Sequence, residues 1–161
     1  MIEELTEDEI GGFLQRQLVG RVGCHAFGRT YVVPVIYVWD AGYVYVQSIE
    51  GRKIEMMRAN PEVCFEVDEY EPDGSWSSVI ADGVFEELEG GAADAVLALL
   101  AQRFVGRRRE TVGRTTGRKP VAFRIRCTSV TGRCVSRTPA VRALTRAGVA
   151  LGRRRARLLR R

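Results

Sequence analysis

The sequence predicts a mainly β domain in which six antiparallel strands and two or three helices form a small closed or partly closed barrel. Runs rich in valine, isoleucine and aromatic residues are separated by turns of hairpin length, which require antiparallel neighbours. Two other stretches place apolar residues at helical spacing. The chain has 161 residues, 45% of them hydrophobic, which is enough for one domain with a single core. Neither G-x-G-x-x-G after a strand nor G-x-x-x-x-G-K-[ST] occurs, which argues against Rossmann and P-loop folds.

The first element is a helix that begins after Thr6. Threonine is a favoured N-cap residue, and Glu9, three residues later, completes a capping box. An apolar stripe then continues at four-residue spacing through Leu14 and Leu18. We expect Gly20 to end this helix, because glycine is common just beyond a helix C-terminus.

The strands and helices that follow are predicted from β-branched and aromatic runs, from helical apolar spacing and from turn residues. The six predicted strands are 21–27, 30–39, 43–48, 62–68, 76–88 and 120–130. A short helix opens at 50–53 and is closed by Asn60-Pro61, and a second amphipathic helix is predicted over 94–104. We expect a bend in the fifth strand at Gly83, a loop over 105–119 and a turn at 131–133 after the last strand.

The charge is divided unevenly along the chain. Residues 1–110 have a balance of −10 and residues 111–161 a balance of +15, for a net charge of +5. We therefore expect a domain over 1–136 and an arginine-rich tail over 137–161. The tail can be a solvated extension, bind nucleic acid or an anionic membrane surface through phosphates, or dock on the acidic part of a neighbouring subunit. No aromatic residue follows Phe123, so base stacking is not expected.

The composition also indicates the cellular compartment and whether a metal site is expected. The apolar run 95–101 is far shorter than the ~20 residues of a membrane-spanning helix, and the acidic N-terminus is unlike a signal peptide. We expect a cytoplasmic protein. The four cysteines form no C-x-x-C pair and there is one histidine, so we expect free thiols and no metal site.

A basic pair, Arg52 and Lys53, stands after a predicted strand at the opening of a helix. A helix N-terminus with adjacent cations is a favourable place for a phosphate. The strands that precede the pair offer backbone groups and apolar side chains on which a flat ring can lie. Together these features suggest a mononucleotide cofactor. The alternative is that both cations are solvated charges at a helix end.

The order of these elements is similar to that of a known family. VVPVIY, VYVQS, G-R-K, a short helix, A-N-P and V-C-F-E-V follow one another over 31–68, and GRVGCHA and W-S-S-V flank them. This pattern resembles the pyridoxamine 5′-phosphate oxidase-like split barrels that bind flavin mononucleotide (FMN), nearest the branch of nitroimidazole-resistance reductases and flavin-nucleotide-binding proteins. The resemblance covers roughly 5–133 and implies a six-stranded split barrel that forms a homodimer with FMN at the interface.

The resemblance also assigns residues to the expected FMN site. Val33, Pro34 and Val35 would border the flavin ring. Gln47 and Ser48 would lie near the ribityl chain and phosphate, and Arg52 and Lys53 would bind the phosphate. Ser78 would approach the flavin from the partner subunit. Trp76 either stacks near the cofactor or fills the dimer interface.

The resemblance to the oxidase itself is incomplete. That enzyme has basic residues where this chain has Val32 and Tyr37. This chain also lacks a C-terminal substrate-binding strand with the tryptophan and arginine of the oxidase, and both differences argue against oxidation of pyridoxamine phosphate. We therefore expect an FMN-dependent oxidoreductase acting on a small electron-poor molecule. His25 is the best single candidate for a proton donor, although its position in an apolar strand favours a structural role over a functional one. The alternatives are a non-catalytic flavin carrier or sensor, a haem or deazaflavin protein, and a nucleic-acid accessory that uses the tail.

Overall fold

A computed structural model describes residues 1–103, 117 and 119–135 of the protein. The predicted arginine-rich tail over 137–161 and most of the predicted loop over 105–119 lie outside these residues. A two-residue strand, β1 (Glu3–Glu4), precedes helix α1 (Glu7–Arg16). The capping box predicted for α1 is confirmed: the Glu9 N–H donates to Thr6 Oγ1 over 3.4 Å, and the Thr6 N–H donates to Glu9 Oε2 over 2.9 Å.

Six long antiparallel strands close into a barrel, which confirms the predicted fold class. They are β2 (Val19–Ala26), β3 (Arg29–Asp40), β4 (Tyr43–Ile49), β5 (Glu62–Tyr70), β6 (Trp76–Leu88) and β7 (Pro120–Val135). Their order is β7-β4-β3-β2-β5-β6, and β6 returns to pair with β7. The small β1 adds to the other edge of β7. The barrel is therefore a single continuous sheet that closes on itself.

The alternation of side chains along the strands builds the barrel interior. Fully buried residues include Tyr37 and Phe65, whose rings meet edge to face with centroids 4.9 Å apart. The Tyr37 hydroxyl donates to the Leu14 carbonyl over 2.8 Å, so this phenol joins α1 to the barrel. Burial raises the pKa of Tyr37, which keeps the hydroxyl protonated as a donor.

Two further helices pack on the barrel at different places. Helix α2 (Arg52–Ala59) follows β4 and buries Ile54, Met56 and Met57 in the main core. Helix α3 (Gly90–Arg103) lies outside the sheet, where Val96 and Leu100 pack with Ala122 of β7. No helix in the described part of the chain has both the length and the apolar character needed to cross a membrane.

Two glycine-based boundary predictions are wrong. Helix α1 ends at Arg16, and Gly20 lies within β2, where the Phe65 ring occupies the space that a Cβ would take. The turn predicted over 131–133 is part of β7, where Gly132 pairs with Val79. At both positions the missing side chain lets side chains of other elements pack close to the strand, and the chain does not turn there.

The remaining boundary differences are smaller. The hairpin turn between β2 and β3 is formed by Phe27 and Gly28, both with positive φ, one residue earlier than predicted. Helix α3 starts four residues before the predicted 94, and Phe104 lies outside the described residues. The irregularity expected at Gly83 is present as a shift of register between Asp82 and Gly83 in the pairing with β7.

Candidate functional site

The barrel wall opens between β3 and β4. These strands pair only where Tyr37–Asp40 meets Tyr43–Val46. The earlier half of β3, residues 29–36, pairs with β2 alone, and the end of β4, residues 47–49, pairs with β7 alone. The two strands thus diverge, and two residues separate the end of β4 from the start of helix α2. We call this gap the β3–β4 opening.

The backbone of β3 leaves hydrogen-bonding groups directed at the opening. The Tyr37 N–H donates to the Leu18 carbonyl on the β2 side over 3.3 Å. Because backbone groups alternate in direction along a strand, the odd-numbered residues of β3 bond towards β2 and the even-numbered residues face the other side. The N–H groups of Val32 and Ile36 therefore face the opening. Pro34 lies between them, where its missing N–H breaks no bond with β2.

The side chains of the predicted ring platform do not share one face. Val33 is half-buried and Val35 is 7% exposed, and both belong to the barrel interior. Pro34 is exposed on the outer face, opposite Arg21 of β2. A flat ring at this place would contact the backbone edge of β3 more than a continuous apolar side-chain surface.

The basic pair stands at the start of α2. Arg52 is exposed, and its guanidinium carbon lies 5.7 Å from the centre of the Tyr31 ring on β3. The contact places Arg52 beside the free half of β3. Gly51 precedes the helix and provides no side-chain cap for the N–H groups of Arg52 and Lys53, whereas the next two N–H groups of α2 donate to the Gly51 carbonyl. Positive charge and uncapped N–H groups therefore occur together.

Lys53 is less exposed than its neighbour and lies near Cys24 of β2. Burial lowers the pKa of the Lys53 ammonium, and the nearby Cys24 partly opposes this effect. Cys24 donates through its thiol to the Tyr31 carbonyl, with a sulfur–oxygen distance of 3.6 Å. Burial raises the pKa of this thiol, and Lys53 lowers it. A desolvated ammonium at this place interacts more strongly with an anion than a fully solvated one.

Gln47 and Ser48 lie on the opposite side of the opening from β3. Both are half-buried at the end of β4, where they pair with Ala122 and Val121 of β7. Ser48 Oγ is 3.4 Å from the Ile49 carbonyl oxygen. The structure therefore brings together seven of the residues singled out from the sequence around one opening. They are Val33, Pro34, Val35, Gln47, Ser48, Arg52 and Lys53.

Three other candidates lie apart from this group within one chain. Ser78 and Trp76 are at the far end of β6, with Ser78 about 30 Å along the strand from Glu87, the residue of β6 that is linked to α2. His25 is exposed near the β2–β3 turn. Its Nδ1 lies 3.0 Å from Thr30 Oγ1, and its carbonyl accepts from Asn60 Nδ2 over 2.9 Å. The roles predicted for Ser78, Trp76 and His25 remain predictions.

Several contacts around the opening were missed by sequence reasoning. Tyr31 under Arg52 and Cys24 near Lys53 sit in strands that read as ordinary β-sequence. Arg58 binds Glu50 and also Glu87, which is 29 residues away, and no local pattern signals such a pair. Among residues 1–103, 117 and 119–135, no cluster of three or more histidine, cysteine, aspartate or glutamate side chains has the arrangement of a metal site.

Comparison with known proteins agrees with this architecture. A family model described as pyridoxamine 5′-phosphate oxidase matches residues 6–134. An uncharacterized protein of Rhizobium meliloti (strain 1021) is 29% identical over 87 residues, which cover 54% of this chain and 58% of that protein. The chain thus matches little more than half the length of this curated relative.

Two solved structures have similar folds. A FAD-binding protein from Mesorhizobium loti is 33% identical with a TM-score of 0.70, covering 84% of this chain and 99% of that one. A candidate 5-nitroimidazole antibiotic resistance protein from Bacteroides thetaiotaomicron has a TM-score of 0.67 at 19% identity, covering 83% and 87%, and this likeness concerns the fold alone. The resemblance stated from the sequence is confirmed.

Proposed function

Because this chain belongs to the pyridoxamine 5′-phosphate oxidase family, we propose that it is a cytoplasmic flavoprotein that binds FMN at the β3–β4 opening and transfers electrons to or from a small electron-poor molecule. One observation carries the proposal: Arg52 and Lys53 stand at an uncapped helix N-terminus beside an unpaired strand edge. A phosphate and a flat heterocycle need these two kinds of surface side by side.

The phosphate end of the cofactor fits the start of α2. The FMN phosphate is an anion with several acceptor oxygens, and it would accept from the first N–H groups of the helix and from both cations. Arg52 supplies a planar donor set that is held over Tyr31, whereas Lys53 supplies a partly desolvated point charge. Ser48 and Gln47 would meet the ribityl chain.

The ring end fits the free edge of β3. The N–H groups of Val32 and Ile36 and the carbonyl groups between them can bond the polar edge of a flavin, and Pro34 offers no competing donor. When bound, the flavin supplies hydride and electron transfer at N5. The protein's own part is to hold the phosphate, orient the ring and shape a substrate pocket over it.

A second copy of the chain would complete the site. Ser78 and Trp76 would reach the opening from a partner, because they lie about 30 Å and about 36 Å along β6 from Glu87, where the strand adjoins α2. The outer face of the sheet supports a homodimer, since it exposes apolar side chains, three of them on the adjacent strands β2 and β3 and one on β6. These are Val19 at 47%, Val32 at 60%, Ile36 at 40% and Ile80 at 46% exposure.

The residues at the opening favour a reaction other than oxidation of pyridoxamine phosphate. In the oxidase, basic residues occupy both ends of the strand that matches 32–37. Here Val32 has no charge, and the Tyr37 hydroxyl is buried and committed to the Leu14 carbonyl. Neither can bind a substrate phosphate. We keep His25 as the proton donor to be tested, because it is exposed and held by Thr30 and Asn60.

The proposal is tested by spectroscopy and titration. Purified full-length protein is mixed with FMN, FAD or riboflavin, and flavin fluorescence and visible absorbance are recorded. FMN should bind at least tenfold more tightly than riboflavin, since only FMN has a phosphate. No flavin band after addition of FMN would sink the proposal, and a Soret band in the purified protein would point to haem.

Turnover is measured separately under anaerobic conditions. The FMN-loaded protein should be reduced by NADH or NADPH and reoxidised by a nitroaromatic compound or a quinone. Tight binding without any reduction would identify a flavin carrier or sensor. Size-exclusion chromatography with light scattering should give twice the 18.0 kDa chain mass for the homodimer.

A further inference from the structure

Arg58, in the last turn of α2, bonds two carboxylates at once. Its Nη1 and Nη2 donate to Glu50 Oε1 and Oε2 over 2.6 and 3.1 Å. Its Nε and Nη2 donate to Glu87 Oε2 and Oε1 over 2.7 and 2.8 Å. Both contacts are bidentate, which is the strongest geometry available to an arginine–carboxylate pair. The three side chains link the end of β6 to the segment before α2.

Glu50 is the carboxylate of this network that is nearest in sequence to the basic pair. It stands two residues before Arg52, at the approach to the basic pair. The loop is otherwise held by its backbone, where the Glu50 N–H donates to the Lys119 carbonyl over 2.9 Å. Gly51, between Glu50 and the helix, adds no side chain to restrain it. The direction of the Glu50 carboxylate therefore depends mainly on Arg58.

A free carboxylate at Glu50 would oppose phosphate binding in two ways. It would repel the phosphate charge, and it would compete with the phosphate for Arg52 and Lys53. Arg58 weakens both effects, because it holds the Glu50 carboxylate in a bidentate ion pair while sharing its single positive charge with Glu87. Hydrogen bonds to Glu87 and then Glu50 raise the pKa of Arg58, so the guanidinium keeps its charge.

We propose that Arg58 is a positioning residue of the phosphate site, which keeps the Glu50 carboxylate engaged so that Arg52 and Lys53 are available to the cofactor phosphate. This inference rests on the proposed function. The Nε, Nη1 and Nη2 donors of Arg58 are engaged by the carboxylates of Glu50 and Glu87, so Arg58 acts through Glu50 and not by contact with the phosphate.

The inference predicts a phosphate-specific and charge-specific signature. Arg58→Gln should raise the Kd for FMN about tenfold, an effect within the range of coupling between neighbouring groups, and leave the Kd for riboflavin unchanged. Adding Glu50→Gln to that variant should restore the FMN Kd to within about threefold of wild type, because the competing charge is gone. Arg58→Lys keeps the charge and should be intermediate.

The experiment is a fluorescence titration of each full-length variant with FMN and with riboflavin, accompanied by urea unfolding. Arg16→Gln is the matched control, since Arg16 is similarly exposed and paired with Glu69, 3.7 Å away, on a different element. It should change neither Kd.

The possible outcomes separate this inference from the proposed function. Equal weakening of FMN and riboflavin by Arg58→Gln, or no rescue by Glu50→Gln, overturns the role of Arg58 while FMN binding by the wild type stands. A wild type that binds FMN no better than riboflavin overturns both. If Arg58→Gln does not fold, the comparison of Arg58→Lys with Arg58→Lys/Glu50→Gln decides in the same way.

Discussion

The barrel has two strand junctions that differ in how completely their backbones pair. We call the β6–β7 junction the closed seam and the junction at the β3–β4 opening the open seam. Strands β6 and β7 pair along the whole of β6, from Trp76 to Leu88. Strands β3 and β4 pair only at Tyr37–Asp40 and then separate. The closed seam satisfies its backbone groups within the sheet, whereas the open seam leaves N–H groups and a helix N-terminus for another molecule. The fully paired strands and the proposed binding site thus lie in different parts of one sheet.

The largest expected effect is on the closed seam. A Cβ at Gly83 would lie 2.6 Å from Ile125 Cγ2 and 2.8 Å from the Arg126 carbonyl oxygen. Gly83→Val should therefore lower the free energy of unfolding by about 3 kcal/mol, as overpacking in a core does. Urea unfolding measures the change. The matched control is Gly11→Ala, since a Cβ at Gly11 meets nothing within 4 Å, and it should stabilise the protein by about 0.5–1 kcal/mol.

A smaller effect, on the free energy of FMN binding, is expected when the two positive charges of the basic pair at the open seam are removed. Arg52→Gln/Lys53→Gln should raise the Kd for FMN about 100-fold, because two charge-assisted contacts to phosphate are lost. The free energy of unfolding should stay within about 0.5 kcal/mol of wild type, as for other surface changes. Arg29→Gln is the control, because Arg29 is an exposed cation at the start of β3 that does not belong to the basic pair. An FMN Kd within threefold of wild type for the double variant would place the phosphate elsewhere.

The open edge of β3 can be examined without any substitution. Amide hydrogen exchange by NMR should be fast at Val32 and Ile36, whose N–H groups face the opening, and slow at Val33 and Val35, which bond towards β2. FMN should slow exchange at Val32 and Ile36 about tenfold or more if these groups bond the ring. Equal protection of all four amides before FMN is added would mean that this edge is already paired.

The sequence was sufficient for the elements that local chemistry determines. Thr6 and Glu9 identified the start of α1, and the alternating β-rich runs identified six strands in the correct order. The basic pair was identified because its position after a strand and before a helix is visible in the chain. Each of these signals lies within a few residues.

The sequence was insufficient where a residue's role depends on a distant neighbour. Gly20 has the local signature of a helix end, but the Phe65 ring on another strand determines its place in β2. Gly132 was expected to turn the chain, but packing against Leu5 and Ile10 keeps it extended in β7. The pairing of Arg58 with Glu87 is similarly invisible in the sequence, since Glu87 is 29 residues away on β6.

The smallest expected effect concerns the tie between the closed seam and α2. The hydrogen bond from Arg58 lowers the pKa of Glu87 below its ordinary value of 4.5. A carboxylate with a depressed folded-state pKa stabilises the protein above pH 4.5, and this contribution is lost as the pH falls through the folded-state value. Wild type should exceed Glu87→Gln in unfolding free energy by less than about 1 kcal/mol at pH 7, because the pair is partly exposed.

Urea unfolding of both proteins from pH 7 to pH 3 measures this difference, and the broad acid destabilisation common to both cancels in the subtraction. The difference should stay constant down to about pH 5 and then shrink. Glu89→Gln, at an exposed position just beyond the end of β6, should show no such change relative to wild type. A Glu87 difference that persists undiminished at pH 3 would mean that the side chain contributes through packing. In that case the link between the two seams would not depend on the charge that Arg58 shares with Glu50.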